Sequence, residues 1–179
     1  MADATDRPAD GGRPERDATA KLPILFWEDF EIGDTFPSPW GRTVTEAHLI
    51  AFSGLSGDIQ PLHVDDLYAA RSFYGRKIAH GPLTSILGMG LQIFTQVWRS
   101  AVAMLEETQT YKAPVFVGDT IYSSMRVDEA RVTRNREHGL IVFVNTLTNQ
   151  DGTTVCVTRS VMLLKRRPVD RDVATNLIK

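Results

Sequence analysis

PLTSILGMGLQIFTQVWRSAVAML, residues Pro82–Leu105, is the longest apolar stretch of the chain, and its reading decides the fold. Leu83, Ile86, Leu87, Met89, Leu91, Ile93, Phe94, Val97 and Trp98 cover nearly every side of a helical wheel, so the segment predicts a central, buried helix. No residue from Ile78 to Trp98 is charged apart from whatever charge His80 carries, a span long enough to cross a bilayer. Thr84, Ser85, Gln92, Thr95 and Gln96 recur through it, however, and the insertion penalty of scattered polar groups favours a core helix over a membrane span.

Downstream the apolar period falls from about four to two. Thr120–Thr133, Leu140–Thr148 and Thr153–Lys165 alternate and are rich in Val, Ile, Thr and Phe. Turn residues separate them at Asn135–Gly139 and Asn149–Gly152, the pattern of an antiparallel meander. With strands expected near Gln109–Val115 and Asp34–Val44 the count is about five. An apolar helix beside such a sheet lies most simply against its concave face, which makes an α+β domain with the sheet wrapped around the helix. Upstream, Thr45–Ser53 has helical spacing with Thr45 or Thr43 as cap. Gly54–Val64 reads as a loop, and Asp65–Phe73 as a short helix stopped at Gly75.

Composition bounds what such a domain can do. The 179 residues, 42% hydrophobic and 23% charged, suit one globular domain. A formal net charge of -2 gives no bulk attraction for nucleic acid. The single Cys156 closes no intramolecular disulfide, which suits a reducing, cytoplasmic setting. Residues 1–21 hold five acidic and four basic side chains and no Val, Ile, Leu, Phe, Trp or Tyr. Such a segment cannot offset the entropy of ordering it, and it lacks the apolar stretch of a secretory signal. It is read as a disordered tail, residues 22–167 as the domain and 168–179 as a polar C-terminal tail.

The chemistry concentrates in Ser56-Gly57-Asp58-Ile59-Gln60-Pro61-Leu62-His63-Val64-Asp65 and in Ile78-Ala79-His80-Gly81-Pro82. Asp58 after a glycine, taken alone, is a turn former. With His63 five residues on, and Pro61 between them expected to fix a non-helical backbone, a tight loop can present both side chains to one pocket as an acid/base pair. Pro82 suits the first position of the long helix and would leave Gly81 at its cap, with a free N–H at the positive end of the helix. His80 is read as a core or capping histidine shaping that turn, and Asp65 and Asp66 as helix caps. A metal site from His63, Asp65 and Asp66 lacks regular ligand spacing, so no metal is expected. Ser56 does not form a nucleophile elbow, because Asp58 stands where G-x-S-x-G needs glycine.

These two elements resemble the MaoC-like dehydratases, the (R)-specific enoyl-CoA hydratases. Phe52, Ser56-Gly57-Asp58, Pro61, His63 and Ala69 meet the first family signature and Ile78–Gly81 the second, at the family spacing. The resemblance covers roughly Trp27 to Arg166, and the chain departs from it at Gln60, where the family has Asn. It implies a hot-dog fold and reversible hydration of a trans-2-enoyl thioester to an (R)-3-hydroxyacyl thioester. Asp58 and His63 would be the catalytic pair holding one water, and the Gly81 N–H would bind the thioester oxygen, with Gln60 and His80 also at the substrate. It further implies no cofactor beyond the CoA of the substrate, and at least a homodimer with sites at the interface. Arg71, Arg76 and Lys77 are candidate contacts for CoA phosphates. Phe73, Tyr74, Phe94 and Trp98 are the bulky residues placed to close an acyl tunnel. Two other classes stay open. One is a hot-dog thioesterase, although Pro82–Ser100 lacks its acidic residue, and the other is a non-catalytic acyl-CoA-binding subunit, suggested by Gln60.

Overall fold

In a computed structural model of the chain, residues 24–168 are described except 96 and 135, and of Phe94 only the backbone. Both expected tails lie outside the described residues, apart from Pro168. Three long strands are the ones the alternation predicts: β4 (Thr120–Val132), β5 (His138–Thr148) and β6 (Thr154–Lys165). They pair antiparallel in sequence order, with Val127 opposite Phe143 and Leu147 opposite Cys156. Alternate residues of these strands are buried, and Val127, Ile141, Leu147, Cys156 and Leu164 are inaccessible to solvent.

The remaining strands differ from the sequence expectation. The segment Asp34–Val44 splits into β1 (Thr35–Pro37) and β2 (Arg42–Thr43), both along the free edge of β4. Pro37, Pro39 and Gly41 interrupt what periodicity reads as one strand. On the other edge β3 covers Ala101–Tyr111 and pairs with β6, so the sheet has six strands rather than about five.

The central helix is α4 (Gly81–Gln92). It ends well before Leu105, giving way to 3-10 turns at Ile93–Thr95 and Val97–Ser100 and then to β3. Nor is it buried all round. Leu83, Leu87, Gly88 and Leu91 face the sheet, while Ile86 and Ile93 are 51% and 63% exposed. Leu83 and Leu87 pack with Ile121, Leu147, Val155 and Cys156 in one core cluster, with Val44, Leu49 and Val115 sealing it. Gly88 lets the helix settle onto β5, since a Cβ there would overlap the Leu147 methyls. A second cluster, built on Phe30, Met125, Phe143 and Met162, fills the other end. The sheet wrapped around α4 is the hot-dog architecture. No helix among the described residues is long and apolar enough to cross a membrane.

Between β2 and α4 the chain forms α1 (Glu46–Ser56), α2 (Pro61–Val64) and α3 (Asp66–Ala70). Thr45 caps α1 in a reciprocal pair with His48, whose Nδ1 accepts the Thr45 N–H at 3.0 Å. Asp65 caps α3 by accepting the N–H groups of Leu67 and Tyr68. It is thereby committed as a cap, as expected.

Candidate active site

The loop carrying Asp58 is set by the end of α1. Gly57 takes φ 77° and donates its N–H to Ser53 O at 2.9 Å, stopping the helix in the left-handed conformation that favours glycine. Ser56 Oγ then accepts the Asp58 N–H at 3.1 Å and donates to Phe52 O at 2.7 Å. The carboxylate accepts the Gln60 N–H at 3.2 Å and is otherwise exposed. Pro61 does not hold an extended backbone. It occupies the first turn of α2, and that turn, closed by His63 N–H to Gln60 O at 2.9 Å, swings His63 back toward Asp58.

His63 is 8% exposed and its Nδ1 lies 2.8 Å from Ile78 O. A carbonyl only accepts, so Nδ1 carries the hydrogen and the Nε2 lone pair of the neutral ring is left for chemistry. Behind it lies His80, fully buried, its ring stacked on His63 at 3.9 Å and against Phe52 at 4.8 Å. His80 Nε2 donates to Asp58 O at 3.1 Å, so one buried ring ties down the backbone of one member of the pair and braces the side chain of the other. This corrects the placement of His80 at the substrate, because it stands behind the cleft and not in its wall.

Burial, reinforced by His63 alongside and only partly opposed by the hydrogen bond to Asp58 O, lowers the pKa of His80 and keeps the ring neutral. An unfolded histidine takes up its proton near 6.5 while folded His80 resists until lower pH, so acidification favours the unfolded chain. Thermal stability is expected to fall as pH is lowered through 6.5, and His80→Phe should show a shallower fall. An equally steep fall in the variant would contradict this assignment.

Ligand atoms of Asp58, His63 and His80 all lie within 4.8 Å of one another. Stacked rings direct their in-plane lone pairs side by side and not to one point, which does not fit joint coordination of an ion. His63 opens onto a cleft of about 330 Å³ whose lining includes Gly81, Tyr74, Ile78, Tyr111 and Val155. Gly81 is the first residue of α4 with His80 as the cap, so the helix starts one position earlier than the sequence suggests; Pro82 is second. The Gly81 N–H still has no intrahelical acceptor and sits where the helix contributes positive potential.

Tyr111, which sequence reasoning missed, packs on Gly81 so closely that a Cβ there would lie 2.8 Å from its ring. Nothing local marks it, since it reaches Gly81 only because β3 runs along the edge of the sheet. Gln60 is exposed outside the cleft lining, and it contributes its backbone N–H to Asp58. The basic candidates are largely engaged elsewhere. Lys77 pairs with Glu46 and Asp66, Arg71 Nε donates to Leu67 O, and Arg76 lies over the Phe116 ring at 4.0 Å. Of the tunnel candidates, Tyr74 lines the cleft while Phe73 is 99% exposed and closes nothing; the Phe94 side chain lies outside the described residues.

Comparisons with known proteins point to one family. A family model described as "MaoC like domain" matches residues 29–148. The chain is 28% identical over 116 residues to a 3-hydroxybutyryl-CoA dehydratase of Methylorubrum extorquens, covering 65% of this chain and 72% of that one. It is 35% identical over 112 residues to an (R)-specific enoyl-CoA hydratase of Aeromonas caviae, covering 63% and 79%. Among solved structures, a MaoC-like dehydratase from Rhodospirillum rubrum superimposes with a TM-score of 0.73 at 25% identity, over 81% of this chain and 99% of that one.

Proposed function

The chain belongs to the MaoC-like domain family, and on that premise we propose that it hydrates trans-2-enoyl-CoA thioesters reversibly to (R)-3-hydroxyacyl-CoA. The observation that carries the proposal is that the Asp58 carboxylate and a His63 ring nitrogen lie within 4.8 Å of each other, beside a cleft that His63 and Gly81 line. One water bridges the Asp58 carboxylate and the Nε2 lone pair. As its oxygen bonds to C3 of the enoyl group, the pair takes up one of its protons, and the C2=C3 electrons move onto the thioester oxygen. The Gly81 N–H and the end of α4 stabilise that charge, a single donor of this kind contributing on the order of 3 kcal/mol. The held proton then goes to C2, so hydroxyl and hydrogen add to the same face and the pair returns to its starting state.

His63 and Asp58 must keep their separation through both transfers, and the His80 brace maintains it. The reading uses no cofactor beyond the substrate's own CoA. It includes at least a homodimer, for which β3 offers an outer edge with Val102, Leu105 and Tyr111 exposed. The test is loss of the enoyl absorbance of crotonyl-CoA on adding the protein, with (R)-3-hydroxybutyryl-CoA as product. Absence of that product would refute it.

A further inference from the structure

Polar groups collect where a hot-dog core would be expected to be most apolar. Asn145 of β5 and Thr158 and Ser160 of β6 are 5–7% exposed and turned toward α4, whose own Ser85 is 3% exposed. They surround a cavity of about 10 Å³, together with Glu107 of β3 and Trp98. Ser160 Oγ donates to Glu107 at 3.2 Å, and the Asn145 amide oxygen accepts from Ser123 Oγ at 2.7 Å. Trp98 also lines the cavity, and its buried Nε1 has no acceptor among the described residues. A buried donor of this kind calls for an acceptor that the described residues do not supply.

The cavity lies farther along α4 than the cleft: Ser85 and Met89 line it, whereas Gly81 and Thr84 line the cleft. Ser85 is one helical turn beyond Gly81, about 6 Å, and its hydroxyl donates to Pro82 O at 3.0 Å. Exposed polar side chains of β3 link a residue of the cleft to one of the cavity. Tyr111 donates to the Gln109 side-chain oxygen, and Gln109 Nε2 donates to Glu107 at 2.7 Å. A short acyl chain whose thioester oxygen sits on Gly81 therefore runs along α4 toward this cluster.

We propose that the inner cavity receives the far end of the acyl group and selects one ending in an uncharged group that both donates and accepts, an hydroxyl or a primary amide. Trp98 Nε1 needs an acceptor and the Glu107 carboxylate takes a donor, so one hydroxyl serves both. An alkyl end leaves the indole N–H unpaired, and a carboxylate end meets Glu107 as a like charge. The proposal rests on the hydratase reading and names the substrate class for the same site.

The test compares 5-hydroxypent-2-enoyl-CoA with hex-2-enoyl-CoA, which match in chain atoms and differ in OH against CH3. The wild-type protein is expected to prefer the hydroxylated substrate by about tenfold in kcat/KM. Trp98→Phe combined with Glu107→Leu, which removes both partners of the hydroxyl, should bring that ratio to one or below. Because the ratio is taken within each protein, a general loss of folded enzyme cancels. Calorimetry with the unreactive thioethers 5-hydroxypentyl-CoA and hexyl-CoA reads the same preference without turnover. Equal or better use of the alkyl substrate by the wild-type protein, or equal thioether affinities, would overturn the proposal and leave a site for one structural water. Failure of the hydratase reading shows separately, as no turnover of either enoyl substrate or of crotonyl-CoA.

Discussion

Asp58→Asn is expected to lower kcat for crotonyl-CoA hydration by about 10³-fold, and His63→Ala to do the same. The two fail for different reasons. Asp58 is exposed and its carboxylate has one protein donor, the Gln60 N–H, so Asn is accommodated with little structural change while losing the ability to accept a proton. Asp58→Asn is therefore the cleaner test, and its thermal midpoint should stay close to wild type. His63→Ala removes the ring stacked on His80 and the hydrogen bond to Ile78 O, so a modest loss of stability accompanies the loss of rate. Near wild-type turnover in either protein would show that the pair does not carry the reaction.

Gly81→Ala is expected to lower kcat/KM by about 10²-fold, although the N–H assigned to the thioester oxygen is still present. The added methyl meets the Tyr111 ring at 2.8 Å, and either the ring or the first turn of α4 must shift. A displacement of about 1 Å at a reacting centre is enough for a loss of that size. The cause can be isolated with Tyr111→Ala. If the clash is responsible, Gly81→Ala costs little in a protein that already lacks the ring, and the two changes are strongly non-additive. Additive losses would mean that Gly81 acts through something other than its closeness to Tyr111.

The strands that form the body of the sheet could be read from the chain because each has a wet face and a dry face. Residues 120–132 alternate between buried Ile121, Ser123, Met125 and Val127 and outward Tyr122, Ser124 and Arg126. β3 could not be read this way. It is an edge strand with Glu106, Glu107, Thr108, Gln109 and Thr110 in a row, and its conformation comes from pairing with β6 and not from its own pattern. The apolar run through Ile93 and Trp98 looked like more helix, since periodicity does not separate an α-helix from 3-10 turns leading into an Ala- and Val-rich strand start.

At the site, Asp58 and His63 were legible because one short loop brings them together, and Gly81 because Pro82 marks the helix start. The His80 stack and the Tyr111 contact were not. They join residues 17 to 30 positions apart across separate elements, and only the fold makes them neighbours. The sequence reading of His80 as a core histidine was closer to the structure than its placement at the substrate.

The central claim is that this cleft adds water to an enoyl thioester. It is tested most directly by incubating the protein with crotonyl-CoA while following enoyl absorbance and free thiol together, then resolving the product on a chiral column. The account predicts that absorbance falls with no thiol released and that the product is (R)-3-hydroxybutyryl-CoA. Release of CoA thiol in step with substrate loss, or recovery of crotonyl-CoA unchanged, would contradict it.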